Sequence, residues 1–207
     1  MKKLFVGVLC VALSLSVQGK EVNMTSPDGK YQFTLSDSGG QLHYSLTWNG
    51  KQTVKPSLLG INANVEWRDG VEMGTVDSSR KDTIWHPVYG ERSEIKDCYN
   101  AWKILVNRQN GRDKLILDVR AYDEGIAFRY HFPGGQYLKI TDEYTEYTMP
   151  EGTKAYFTPK AQTPYSYLPL ENWPGESDRP LLLTLADGGY VCLAEAQVVD
   201  YVRTKFN

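Results

Sequence analysis

Short turn signals, set between runs in which apolar and polar residues alternate, restrict this chain to an antiparallel β architecture. Tyr31, Phe33 and Leu35 alternate with polar neighbours after Asp28-Gly29, and Leu42, Tyr44, Leu46 and Trp48 repeat the pattern. Asn49-Gly50 then supplies a two-residue hairpin turn. Ile104–Arg108 and Lys114–Val119 flank Asn110-Gly111, and Val119–Tyr122 and Ile126–Phe132 flank Asp123-Glu124-Gly125. Leu181–Leu185 and Tyr190–Ala194 flank Asp187-Gly188-Gly189. No stretch of a dozen residues carries an unbroken helical stripe. The fold class is therefore all-β, an antiparallel sandwich in preference to a closed barrel.

The N-terminus has a different grammar. Lys2 and Lys3 precede an apolar run from Leu4 to Val17, and Val17 and Gly19 are small enough for the −3 and −1 positions of a cleavage site. Residues 1–19 read as a signal peptide cut after Gly19, and the run is too short to span a membrane. The expected location is the periplasm of a Gram-negative bacterium or the medium. Residues 20–207 are then one domain's worth of chain, enough to bury roughly 70% of its unfolded surface. A net charge of −2, with acids and bases interspersed, gives no footprint for nucleic acid or an anionic membrane surface. Two cysteines outlast processing, Cys98 and Cys192. Export permits a bridge between them, and the other reading is two small buried residues.

One segment departs from the alternation. Pro159, Pro164, Pro169, Pro174 and Pro180 are five of the ten prolines, so the stretch between them cannot be an interior strand. It also carries Tyr165, Tyr167 and Trp173, flat faces with polar tips of the kind sugars stack on. At the far end, Val198–Phe206 reads as one more strand. There is no GxSxG, HExxH, P-loop, Rossmann or CxxC motif. His43 and His131 fall in strand patterns, which leaves His86 as the histidine placed for chemistry.

The order of several motifs carries a resemblance. Thr25-Ser26-Pro27-Asp28-Gly29, Trp85-His86-Pro87-Val88-Tyr89-Gly90-Glu91, Tyr99-Asn100 and Asp123-Glu124-Gly125-Ile126-Ala127-Phe128-Arg129-Tyr130 come first. Trp173-Pro174-Gly175-Glu176 and Glu195-Ala196-Gln197-Val198-Val199-Asp200-Tyr201 follow in register. Together they resemble the N-terminal domain of glycoside hydrolase family 97, a family of α-glucosidases and α-galactosidases. The resemblance implies a galactose-mutarotase-like β-super-sandwich ahead of a catalytic (β/α)₈ barrel. A barrel takes about 250 residues, and none of them is in this sequence.

The resemblance also implies roles. The domain would buttress the barrel and shape the pocket for an α-linked glucoside or galactoside, without catalytic residues of its own. Tyr165, Tyr167 and Trp173, on a loop at the barrel mouth, and Glu195, before the last strand, are the substrate-binding positions it implies. The alternative for Glu195 is a strand carboxylate paired with Arg203 or Lys205. Trp85 and His86 are interface, core or ligand positions. In many members a glutamate of the loop ligates a catalytic Ca²⁺, but the matched position is Pro164, whose side chain offers no oxygen. No metal ligand is assigned to this chain, and Ca²⁺ belongs to the complete enzyme, with Gln162 and Glu171 as substitute oxygens nearby. Two other functions remain open, a free-standing carbohydrate-binding module and a mutarotase-like epimerase built on His86 and a carboxylate.

Overall fold

The computed structural model describes residues 19–108, 111–134, 137–199 and 201–207. The signal-peptide reading falls almost wholly outside the described residues, as do Asn110 and Asp200. Fifteen strands are present among those described, in chain order β1 (Glu21–Thr25), β2 (Tyr31–Ser38), β3 (Gln41–Trp48), β4 (Lys51–Leu59), β5 (Ile61–Ala63), β6 (Val65–Glu66), β7 (Val71–Trp85) and β8 (Ile95–Arg108). These continue as β9 (Lys114–Tyr122), β10 (Gly125–His131), β11 (Ile140–Glu143), β12 (Lys154–Phe157), β13 (Ser166–Pro169), β14 (Leu181–Thr184) and β15 (Tyr190–Leu193). One turn of 3₁₀ helix spans Leu170–Asn172. No helix among the described residues is long and apolar enough to cross a membrane.

All pairings are antiparallel, in sheets ordered β1-β2-β3-β4, β10-β9-β8-β7, β11-β5-β6 and β13-β12-β14-β15. The fold is an all-β sandwich, as the alternation requires. Asn49 and Gly50, with φ of 50° and 75°, close the β3–β4 hairpin between Trp48 and Lys51. Both turn positions lie in the left-handed region that Asn and Gly tolerate best. Asp123 and Glu124 join Tyr122 to its partner Gly125 in the same compact way.

The alternation puts one face of each main sheet into a shared interior. Met24, Phe33, Leu35, Leu42 and Tyr44 come from the first sheet, and Ile104, Val106, Leu115, Leu117 and Val119 from the second. Phe33 stacks on Tyr44 at 5.2 Å, and Phe128 closes the aromatic cluster at 5.7 Å from Tyr44. A smaller core of Ala155, Leu181 and Leu183 lies under the β13-β12-β14-β15 sheet, and Met149 packs against both cores.

The β7–β8 hairpin outruns the sandwich. After a register shift between Met73 and Val76 it stays in register as far as Trp85 and Ile95, yet β7 is exposed on both faces beyond Val76. The Trp85–Glu91 motif forms its tip, where Val88 and Tyr89 are nearly fully exposed. Trp85 and His86 are thus surface residues of an arm, not core. The cysteines do not pair: Cys98 is buried on β8 and Cys192 is exposed on β15. The expectation of a final strand from Val198 is corrected. Within that stretch, the described residues show a single bridge between Phe206 and Ser177, and the chain is anchored there by the Phe206 ring on Tyr147, 5.9 Å away.

Candidate functional site

The proline-rich segment is built, not structureless. Ser166–Pro169 pairs with β12 as the edge strand β13, where a proline needs no ladder partner for its missing N–H. The Leu170–Asn172 turn follows, and Ser177 then returns the chain to the interior. Ser177 is fully buried, and its backbone N–H donates to the Phe206 carbonyl at 2.6 Å.

Between this segment, the end of β12 and the C-terminal stretch lies a cleft of about 310 Å³. It is lined by Thr158, Lys160, Gln162, Thr163, Tyr165, Asp178, Arg179 and Arg203. One wall is pinned by hydroxyls: Thr158 and Thr163 Oγ1 lie 2.7 Å apart, one donating to the other, and both lie within reach of the Lys160 carbonyl, at 3.0 and 2.6 Å. The opposite wall is ionic. The buried Asp178 carboxylate is paired by the Arg203 guanidinium and accepts the Arg179 backbone N–H at 3.1 Å. Burial alone would raise the Asp178 carboxyl, but the Arg179 N–H and the Arg203 charge outweigh it and hold the pKa below its ordinary value. Arg179 in turn points its Nε at Glu195 Oε2, 2.6 Å away, and donates from Nη1 to the Thr204 carbonyl at 2.9 Å.

Of the four residues singled out from sequence, the cleft collects one directly. Tyr165 lines it and is largely exposed. Glu195 stands behind it, holding Arg179 in place of the expected Arg203 or Lys205. Arg203 is engaged by Asp178, and Lys205 lies 3.6 Å from Glu176. Tyr167 projects from β13 onto the outer face of the sheet, its ring 4.7 Å from Tyr156 and its hydroxyl 2.7 Å from Thr184 Oγ1. Trp173 packs inward, edge-on to Phe157 at 5.1 Å, against the small core. It is therefore a packing residue that fixes the segment on the sheet.

Thr158, Lys160, Asp178, Arg179 and Arg203 were not legible as site residues. They come from separated parts of the chain and match no motif. The proline density of the segment around them was the available signal.

The lining combines aromatic, hydroxyl, amide and cationic groups. It offers a phenol ring and hydroxyl, an amide, threonine hydroxyls and cations. Among the described lining residues the carboxylate is Asp178, already committed to two donors. Among the described residues no three His, Cys, Asp or Glu side chains converge as metal ligands. Gln162 lines the cleft, and Glu171 is exposed on the 3₁₀ turn. His86 Nδ1 lies 3.1 Å from the Ser93 carbonyl at the arm's tip, outside the cleft. The histidine–carboxylate contact that the described residues do show is His131 with Asp118, 3.4 Å apart between β10 and β9, where Asp118 also accepts from Arg129 Nε at 2.9 Å.

Comparison with known proteins bears on this geometry. The family described as Glycosyl-hydrolase 97 N-terminal matches residues 24–207. A retaining alpha-galactosidase of Bacteroides thetaiotaomicron is 30% identical over 159 residues, which is 75% of this chain and 23% of that protein. Among solved structures, a glycoside hydrolase family 97 enzyme from Pseudoalteromonas sp. strain K8, in complex with panose, superposes with a TM-score of 0.83 at 24% identity. It covers 90% of this chain and 30% of its own. A beta-arabinopyranosidase superposes with a TM-score of 0.77 at 22% identity, over 86% of this chain and 32% of its own. At these identities the two superpositions establish the shared fold. The chain thus spans about a quarter to a third of the length of the relatives it matches.

Proposed function

The chain belongs to the glycosyl-hydrolase 97 N-terminal family, and from that premise we propose that it is the non-catalytic, sugar-contacting domain of an exported α-glycoside hydrolase. A catalytic (β/α)₈ barrel outside this sequence would supply the carboxylates, and this sandwich would form one wall of its pocket. Export follows from the signal-peptide grammar of residues 1–19. Ca²⁺, where the complete enzyme uses it, would draw its ligands mainly from the barrel.

The observation that carries this reading is the cleft itself. It presents an exposed Tyr165 beside hydroxyl, amide and guanidinium groups, and its one carboxylate is neutralised in place. Such a surface can hold a sugar ring by stacking and hydrogen bonds, whereas cleavage takes two carboxyl groups and the described lining offers one. The relatives fit this division of labour, since the galactosidase and the panose-bound enzyme are each about three to four times longer than the stretch they share with this chain.

Two measurements test the reading. The purified chain should not hydrolyse p-nitrophenyl α-glucoside or α-galactoside. In the complete enzyme, Tyr165→Ala should lower kcat/KM about tenfold, or roughly 1.4 kcal/mol of transition-state binding, at unchanged melting temperature. Turnover by the chain alone, or wild-type kinetics in Tyr165→Ala, would overturn it.

A further inference from the structure

The buried carboxylate of Asp37 has an unusual set of partners. It sits near the end of β2 at 9% exposure. Its Oδ2 accepts the Met73 backbone N–H at 2.7 Å, and its Oδ1 lies 2.5 Å from the backbone nitrogen of Lys20. The contact is reciprocal, because the Asp37 N–H donates to the Lys20 carbonyl at 3.0 Å. Among the described residues no side-chain cation forms an ion pair with Asp37. A carboxylate so far from water is costly unless a positive charge compensates it.

The sequence provides that charge by an independent route. Val17 and Gly19 mark the Gly19–Lys20 bond as the cleavage point. Hydrolysis there breaks the amide, gives the hydroxyl of water to the Gly19 carboxyl, and leaves Lys20 with a free amine that takes up protons from water. The new α-ammonium is the same nitrogen that already faces Asp37. Residue 19 is also tightly placed, since a Cβ added there would lie 1.6 Å from the Asp37 carbonyl oxygen.

We propose that export processing at Gly19–Lys20 creates a partly buried ion pair between the Lys20 α-ammonium and the Asp37 carboxylate, which clamps the N-terminal edge strand β1 to the sandwich. The inference rests on the export part of the proposed function and is independent of the sugar cleft. Other charged groups nearby are engaged or turned away. The Lys20 side-chain ammonium is held on the Met73 carbonyl at 2.7 Å. Glu21 on β1 and Glu72 on β7 are exposed, and Arg108, at the end of β8 across from Val71, lies 3.7 Å from Asp113.

An α-amine ordinarily titrates at about 7.7–8. A buried carboxylate beside it raises that value, so the stabilisation is complete below about pH 8 and is lost as pH rises through the raised pKa. The experiment has two arms. Residues 1–207 are exported in a Gram-negative host and the intact mass is measured; the expected mass begins at Lys20, and cleavage at any other bond overturns the proposal. The processed chain is then compared with one carrying a single extra residue before Lys20, and with Asp37→Asn.

After selective isotopic methylation, the Lys20 α-amine should titrate at least one unit above its ordinary value in the processed chain, equivalent to about 1.4 kcal/mol, and near that value in Asp37→Asn. The processed chain should melt about 3–5 °C above the extended one at pH 7, with the gap closing above pH 9. Should Asp37→Asn fail to fold, the extended chain still decides, because it keeps the carboxylate and displaces the charge. Equal melting temperatures across the pH range, or an ordinary amine pKa in the processed chain, overturn the ion pair.

Discussion

Arg179 places its Nε 2.6 Å from Glu195 Oε2, joining the proline-rich segment to the stretch after β15, with both side chains largely shielded from water. This pair sets the back wall of the cleft. Arg179 also holds the Thr204 carbonyl, so one guanidinium ties three parts of the chain together. A charge this shielded is destabilising once its partner is removed.

Glu195→Ala is therefore expected to cost about 1–3 kcal/mol in chemical unfolding, and Arg179→Met about as much. The double variant should cost less than the sum of the two, because neither charge is then left alone. Additive losses in a double-mutant cycle would show that the two side chains do not interact.

Trp173→Ala is expected to act on stability. Its ring packs on Phe157 and the Ala155, Leu181 and Leu183 core, so truncation should cost about 3–5 kcal/mol if the site cannot collapse, less if it does. In the complete enzyme kcat/KM should remain at the wild-type level wherever the protein is folded. A folded, fully stable Trp173→Ala with impaired kinetics would return this tryptophan to the sugar site.

The contrast between Tyr165 and Trp173 shows what a sequence can and cannot reveal. Both stand in one proline-rich run, and composition treats them alike. Only the fold turns one ring outward and the other into a core. Alternation placed Phe33, Leu35, Leu42 and Tyr44 in the interior, because a half-buried sheet leaves a period-2 trace. The outer half of β7 leaves none, since both its faces are wet and Asp77–Asp82 has no reason to alternate. Gly39-Gly40, with φ of 63° and 78°, closes the β2–β3 hairpin with the same left-handed turn chemistry as Asn49-Gly50. Val198–Phe206 shows the converse, a strand-like pattern that among the described residues forms a single bridge, Phe206 with Ser177. Asp178, Arg179 and Arg203 meet only through tertiary structure, so no spacing announces them.

Calcium should not stabilise this domain by itself. With Pro164 at the matched position and no convergence of carboxylates among the described residues, millimolar Ca²⁺ is expected to leave its melting temperature unchanged. An ion at a hundred times its dissociation constant would add about 2.7 kcal/mol, a shift of several degrees at this size. Such a shift, removed by Glu171→Gln, would show that the 3₁₀ turn contributes a ligand.

Alkaline pH should unfold the domain through its buried phenols. Tyr147 is pushed up to about 12, chiefly because burial disfavours the phenolate, with the Glu143 and Glu195 carboxylates adding to the shift. Tyr44 and Tyr130, in the same interior, are raised for the same leading reason. A phenol whose folded pKa lies above its unfolded value of about 10 contributes stability that is complete below pH 10. That contribution is lost as pH rises through the folded pKa, so unfolding free energy should fall steeply between about pH 10 and 12. Absorbance near 295 nm, followed against pH, should show the exposed tyrosines titrating first and a second, cooperative rise coinciding with loss of far-ultraviolet circular dichroism. Tyr147→Phe keeps the ring that packs on Tyr44 and Phe206 and removes only the ionisable group. It should flatten the alkaline limb while changing stability at pH 7 by less than about 1 kcal/mol. If all fourteen tyrosines titrate together near pH 10 with the fold intact, burial does not govern their ionisation and this account of the alkaline limb fails.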